Sequence, residues 1–91
     1  MLNEFIIVGK INSIPSLNKD RENYIFGLLS EVEEYGESVI PIKINRAMAQ
    51  NMIDYTRVGN VIGVEGKIVA DSKKVILKAS KITFLSRKDN E

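Results

Sequence analysis

Helical periodicity occurs in one stretch of this chain, and elsewhere the apolar residues recur mostly at period two. In residues 46–55, Met48, Met52 and Tyr55 fall at i, i+4 and i+7, with Ala49 and Ile53 beside them. That spacing is one apolar stripe on a short helix. Asn45 is a good N-cap for it, and Gly59-Asn60 reads as the stop and turn. A stripe of this width reads as a plug for a core, and methionines suit irregular gaps.

The remaining segments read as strands. Phe5-Ile6-Ile7-Val8 anchors a long first strand over residues 3–14, with Gly9 read as a bend or bulge. Residues 15–22 read as a loop by composition. The second strand spans 23–32, with Tyr24, Phe26 and Leu28 on one face and Ile25, Gly27, Leu29 and Glu31 on the other. Residues 33–37 make the turn of a hairpin. The third strand, 38–44, sets Ile40, Ile42 and Ile44 against Val39, Pro41 and Lys43. Pro41 has no N–H to donate, so that side is expected at an edge or an irregularity. The fourth strand, 61–69, turns Ile62, Val64 and Ile68 inward and Val61, Gly63, Glu65 and Lys67 outward. A short turn at 71–74 leads to the fifth, 75–85. Its parity switches between Val75/Leu77/Ala79 and Ile82/Phe84, which predicts a bulge near Ser80-Lys81.

The order is β-β-β-α-β-β. It predicts an all-β fold, a five-stranded OB (oligonucleotide/oligosaccharide-binding) barrel with one short helix between strands three and four. Residues 1–86 form the domain and 87–91 a short polar tail. Closing the sheet hides most of its edges and the helix covers one end, which helps a 91-residue chain manage with one small core.

Composition narrows the function. The chain has no cysteine and no histidine, so the commonest nucleophile, general base and zinc ligands are missing. No carboxylate pair has a spacing that demands chemistry, and no glycine-rich phosphate loop or metal cluster is present. The expectation is therefore a binder: not an enzyme, with no catalytic residue, cofactor or metal. No apolar run approaches a membrane span, and no secretory pattern opens the sequence, so a cytoplasmic location and no membrane partner are expected. The net charge of +1 hides a split. Residues 1–37 hold three basic side chains against seven acidic ones, and residues 38–91 hold ten against five. Such asymmetry hints at a polar partner.

Three stretches carry a family resemblance. The opening Met1-Leu2-Asn3 with Ile6-Ile7-Val8-Gly9-Lys10-Ile11 resembles the first strand of bacterial and phage single-stranded DNA-binding proteins. So do Asp54-Tyr55, with Val64-Glu65-Gly66 following Gly59-Asn60, and the ending Ala79-Ser80-Lys81-Ile82-Thr83-Phe84-Leu85. The chain is also similar in outline to the primosomal replication protein that shares the fold. The resemblance implies non-sequence-specific binding of single-stranded DNA in replication, recombination or mobile-element processing. It implies assembly through the first strand into a homo-oligomer, a dimer or tetramer, and contact with replication proteins. RNA is not distinguished from DNA at this level.

The sequence also departs from that family. It has no tryptophan, and Val39 stands where a stacking aromatic is typical. The fourth-to-fifth strand hairpin is short, and the sequence ends in Arg87-Lys88-Asp89-Asn90-Glu91 where the family carries an acidic tail. It therefore reads as a minimal or accessory member. Single-strand binding needs cations that track phosphates and flat rings that stack on bases. The candidate cations are Lys10 on the first strand, Lys19 and Arg21 on the first loop, Lys43 and Lys67 outward on their strands, and Lys73 and Lys74 on the last hairpin. Tyr35, at a hairpin tip, is the candidate for stacking. Tyr24, Phe26, Tyr55 and Phe84 read as core and Phe5 is undecided. Glu31, Glu33, Glu34 and Glu37 would repel phosphate if they lined the same groove. These acidic residues and the scarcity of aromatics favour a second reading: a protein-interaction or primosome-type accessory module that has lost most DNA binding.

Overall fold

A computed structural model describes residues 1–15 and 23–86. Lys19, Arg21, most of the expected first loop and the tail 87–91 lie outside the described residues. The elements are β1 (Phe5–Ser13), β2 (Asn23–Val32), β3 (Gly36–Asn45), α1 (Arg46–Tyr55), β4 (Val61–Asp71) and β5 (Lys74–Phe84). The strands close into a barrel in the order β1-β2-β3-β5-β4, as an OB fold requires. Neighbouring strands are antiparallel except β3 and β5, which run parallel and pair at Ile42↔Leu77 and Lys43↔Lys78.

Strand alternation builds the core. Tyr24, Phe26 and Leu28 from β2 and Ile42 and Ile44 from β3 are buried, with Ile62 and Val64 from β4. Phe5 and Ile11 join them from β1. The helix supplies Ala49 and Met52, both fully enclosed, and so plugs one end. Asn45 caps it as expected, its Oδ1 accepting from the Met48 N–H at 2.9 Å. The helix spans 46–55 as read, but Gly59-Asn60 is not what stops it. Thr56 is the C-cap: its N–H and its buried hydroxyl both donate to the Met52 carbonyl. Gly59-Asn60 belongs to a separate turn, in which the Asn60 N–H bonds the Arg57 carbonyl.

Three expectations change. Gly9 is not a bulge, since it pairs in register with Ile62; the β1–β2 shift falls between Ile11 and Ser13. Gly9 is needed because its Cα passes against the Leu29 carbonyl, where a Cβ has no room. Ile68 keeps the inward parity, in register with Leu77, but is 41% exposed because it lies at the margin of the core, where β4 and β5 run on as an arm. Tyr55 and Phe84 are not core. They are 60% and 37% exposed and face each other at the barrel rim, with ring centroids 6.4 Å apart. Tyr55 sits on the last helical turn, beyond the level at which Met52 fills the barrel, so its ring meets solvent.

The parity switch in β5 has the predicted cause. Glu65 pairs with Lys81 and Gly66 with Ala79, leaving Ser80 as the extra residue of a bulge. Gly66 lies under that bulge. A Cβ there would meet the Lys78 carbonyl, the Phe5 ring and the Ala79 Cα. Pro41 is also accommodated as expected. It lies opposite Gly27, whose N–H points away to the Ser13 hydroxyl at 2.9 Å, so no ladder bond from Pro41 to β2 is missing.

Two stability predictions follow from this geometry. Gly66→Ala forces backbone apart at the bulge and is expected to cost about 3 kcal/mol in denaturant unfolding. The Asp71–Lys74 turn holds Ser72 at φ 50° and Lys73 at φ 68°. That is the conformation Asn-Gly adopts most easily, so Ser72→Asn with Lys73→Gly is expected to raise stability by about 1 kcal/mol.

Candidate nucleic-acid interface

The closure of the barrel decides which lysines meet. Lys78 of β5 is the in-register partner of Lys43 on β3 and of Lys67 on β4. In-register partners share one face of a sheet, and adjacent strands lie about 4.8 Å apart. Lys43, Lys78 and Lys67 therefore form a row across three strands, spanning about 10 Å of backbone. Lys67 and Lys78 are exposed and Lys43 is half-buried. Like charges directly opposite repel, so this row is electrostatically unfavourable until an anion approaches. At its β4 end Lys67 Nζ lies 3.9 Å from Glu4 Oε1.

Beside the row, the outer face of β2 and β3 is apolar. Ile25, opposite Lys43, is 62% exposed, and Val39, opposite Leu29, is 50% exposed. Val39 lies close over Gly27, which has no side chain to lift it off the sheet. The aromatic expected from the resemblance is thus replaced by a low aliphatic surface. It can contact sugars and base faces, without the stacking energy of a ring.

The other candidates are more dispersed. Tyr35 is 82% exposed at the β2–β3 tip, where its N–H closes a turn onto the Val32 carbonyl. It is eight residues from Lys43 along β3, about 26 Å of extended chain. Around it stand Glu31, Glu33, Glu34 and Glu37, and Glu31 pairs directly with Glu37 across the hairpin. These four carboxylates of the acidic half thus lie on an arm that follows β3 away from the row, whereas Glu4 lies beside the row. Lys73 and Lys74 occupy the tip of the β4–β5 arm, with Lys74 opposite Asp71. Lys10 lies past the middle of β1, opposite Val61 on β4 and Leu29 on β2, and six residues from Glu4, about 20 Å along the strand. The structure groups Lys43 and Lys67, sets Lys73 and Lys74 on the adjoining arm, puts Lys10 across Leu29 from Val39, and leaves Tyr35 apart.

Sequence reasoning passed over Lys78. Its orientation was readable, because it has the parity opposite to the apolar set Val75, Leu77 and Ala79. Its neighbours were not, because they depend on a register between strands far apart in sequence. It also passed over the exposed Tyr55–Phe84 pair. Among the described residues no group of acidic side chains is arranged to hold a metal, and no helix is long and apolar enough to cross a membrane.

No protein-family model and no curated protein matches this sequence. Solved structures do match. The mitochondrial single-stranded DNA-binding protein Rim1 of S. cerevisiae superposes with a TM-score of 0.76 at 17% identity, covering 100% of both chains. The N-terminal domain of PriB from Thermoanaerobacter tencongensis, whose structure is dimeric, gives a TM-score of 0.71 at 19% identity over 92% of this chain and 97% of that one. The second single-stranded DNA-binding protein of Mycobacterium smegmatis gives 0.70 at 18% identity, over 93% of this chain and 90% of its own. The likeness read from the sequence therefore holds at the level of fold.

Proposed function

We propose that this protein binds single-stranded DNA without sequence preference, through a basic, aromatic-poor face of its barrel, in replication, recombination or mobile-element processing. The observation that carries this reading is the in-register row Lys43–Lys78–Lys67 beside the exposed aliphatic surface of Ile25 and Val39. A strand's phosphates relieve the repulsion within the row while its sugars and bases cover apolar surface. Non-specific binding asks for both terms and for no base-edge contacts. Of the remaining candidates, Lys73 and Lys74 extend this face on the adjoining arm; Lys10, Lys19 and Arg21 are proposed as further cations, and Tyr35 as a ring for stacking at the separate β2–β3 tip. The role is stoichiometric, without chemistry on the bound strand.

A second copy of the chain completes the reading. On the outer face of β1, Ile6 and Val8 are 69% and 60% exposed, and Val8 and the exposed Leu85 flank the open surface over Gly63. Such a patch suits a two-fold contact. Two linked faces would raise a weak affinity by effective concentration. Replication proteins remain candidate partners for the surfaces left free. One observation favours the accessory reading instead: the Glu31↔Glu37 arm, which repels nucleic acid and leaves Val32 and Tyr35 exposed for a protein partner.

Titration of a fluorescent oligothymidine at low and moderate salt separates these. Micromolar or tighter binding at low salt is expected. Neutralising Lys43, Lys67 or Lys78 singly to Gln should each lower the log–log salt slope by about 0.7, the share of one single-strand phosphate contact. Tyr35→Ala should weaken binding and leave that slope nearly intact, as loss of stacking does. Absence of binding at low salt would remove this function and leave the protein-interaction module.

A further inference from the structure

Two side chains just ahead of β1 grip the root of the β4–β5 arm. Asn3 Nδ2 donates to the Ile68 carbonyl at 2.6 Å, and Asn3 Oδ1 accepts from the Ile68 N–H at 2.9 Å. An amide side chain used in this way imitates a strand residue. It adds one rung to the β1–β4 ladder beyond Phe5↔Gly66. Without it the Ile68 N–H and carbonyl would be a bare sheet edge. The next residue, Glu4, acts on the next residue of β4: its carboxylate faces the Lys67 ammonium at 3.9 Å, with both side chains more than half exposed. Glu4 and Lys67 also line a shallow cleft beside the Ser80 bulge, whose other charged residues are Glu65 and Lys81. Adjacent residues thus hold one backbone position and one charge of the arm that carries the end of the lysine row.

We propose that Asn3 and Glu4 form a latch on the nucleic-acid face, an inference that rests on the function proposed above. Asn3 is a positioning residue: it fixes β4 at Ile68 and so sets where Lys67 stands relative to Lys78 and Lys43. Glu4 occupies, with its carboxylate, the place beside Lys67 that a backbone phosphate takes. Incoming nucleic acid exchanges one oxyanion for another on the same ammonium. The exchange is easy because an ion pair between two solvated side chains is weak. Its effect is to moderate affinity while holding Lys67 ready when no strand is bound. Of the charges near Lys67, the Lys78 ammonium on β5 opposes it, and Glu65 and Lys81 face each other across the bulge. Among the described residues, Glu4 is the carboxylate that the structure places in ion-pair range of Lys67.

The test uses the full chain and oligothymidine at near-physiological salt. Glu4→Gln is expected to tighten binding about two- to five-fold, the range an exposed ion pair allows. In a Lys67→Gln background the same change should have no effect. Unchanged affinity on Glu4→Gln would overturn the latch. So would a gain that persists without Lys67, because Glu4 would then act only as a general repulsive charge. Asn3→Ala is expected to weaken binding and to speed hydrogen exchange at the Ile68 amide at least about tenfold, while amides deep in β4 keep their protection. Equal protection at Ile68 would overturn the positioning role. A wild-type protein that fails to bind would overturn the proposed function and the latch together, whereas binding with unresponsive variants would overturn the latch alone.

Discussion

The parallel contact between β3 and β5 is the constraint on which the rest of this molecule depends. It consists of the pairs Ile42↔Leu77 and Lys43↔Lys78, joining strands whose partnered residues are 35 positions apart in sequence. Without it the chain is two hairpins and a first strand, an open sheet with two bare edges. With it, Ile42 and Leu77 meet inside while Lys43 and Lys78 meet outside. The same rung therefore closes the core and assembles the charge. Loop closure over this separation opposes folding, and the gain that offsets it comes from sealing the apolar interior that Phe26, Leu28, Ile62 and Val64 share.

That dependence explains what the sequence revealed and what it did not. β2 and α1 were legible to the residue, because each carries its own period and, in the helix, its own cap at Asn45. The Ser80 bulge was legible because a bulge flips parity, and Ala79 and Ile82 record the flip. Tyr55 and Phe84 were misplaced, and Ile68 was expected to be more deeply buried than it is, for a common reason. Each continues a local apolar pattern past the point where the core ends, and the end of a core is a tertiary fact. Gly9 was misread in the same way: its need for space comes from Leu29 on the neighbouring strand, not from a local bend. Lys78 was passed over: its parity was readable, but it could not be grouped, since its two partners depend on the closing register. The face and its signs could be read from one strand at a time, but the site itself could not.

The two halves of the charge split can now be placed. Four acidic residues of the first half, Glu31, Glu33, Glu34 and Glu37, lie on the β2–β3 arm, with Glu31 opposite Glu37, and Lys43, Lys78 and Lys67 of the second half meet where β3, β5 and β4 pair. Both arrangements set like charges opposite one another, which costs stability in each place. The near-zero total therefore hides local concentrations of like charge. In the proposed function a polyanion would be attracted to the lysine row and turned away from the Glu31–Glu37 arm.

A face that orients its ligand by charge but lacks tryptophan has a particular balance of terms. Stacking on an aromatic contributes about 1–3 kcal/mol per base and is indifferent to salt, whereas each phosphate contact weakens as salt rises. Replacing rings by Ile25 and Val39 removes much of the salt-independent part. What remains is set by three ammonium groups and by whatever competes with phosphate for them. In a richly aromatic site a neighbouring carboxylate would be a small correction. Here Glu4 is one oxyanion set against three cations, so under the proposed function a residue outside the sheet would gain control over affinity. The scarcity of aromatics and the importance of the Asn3–Glu4 corner are two consequences of the same composition.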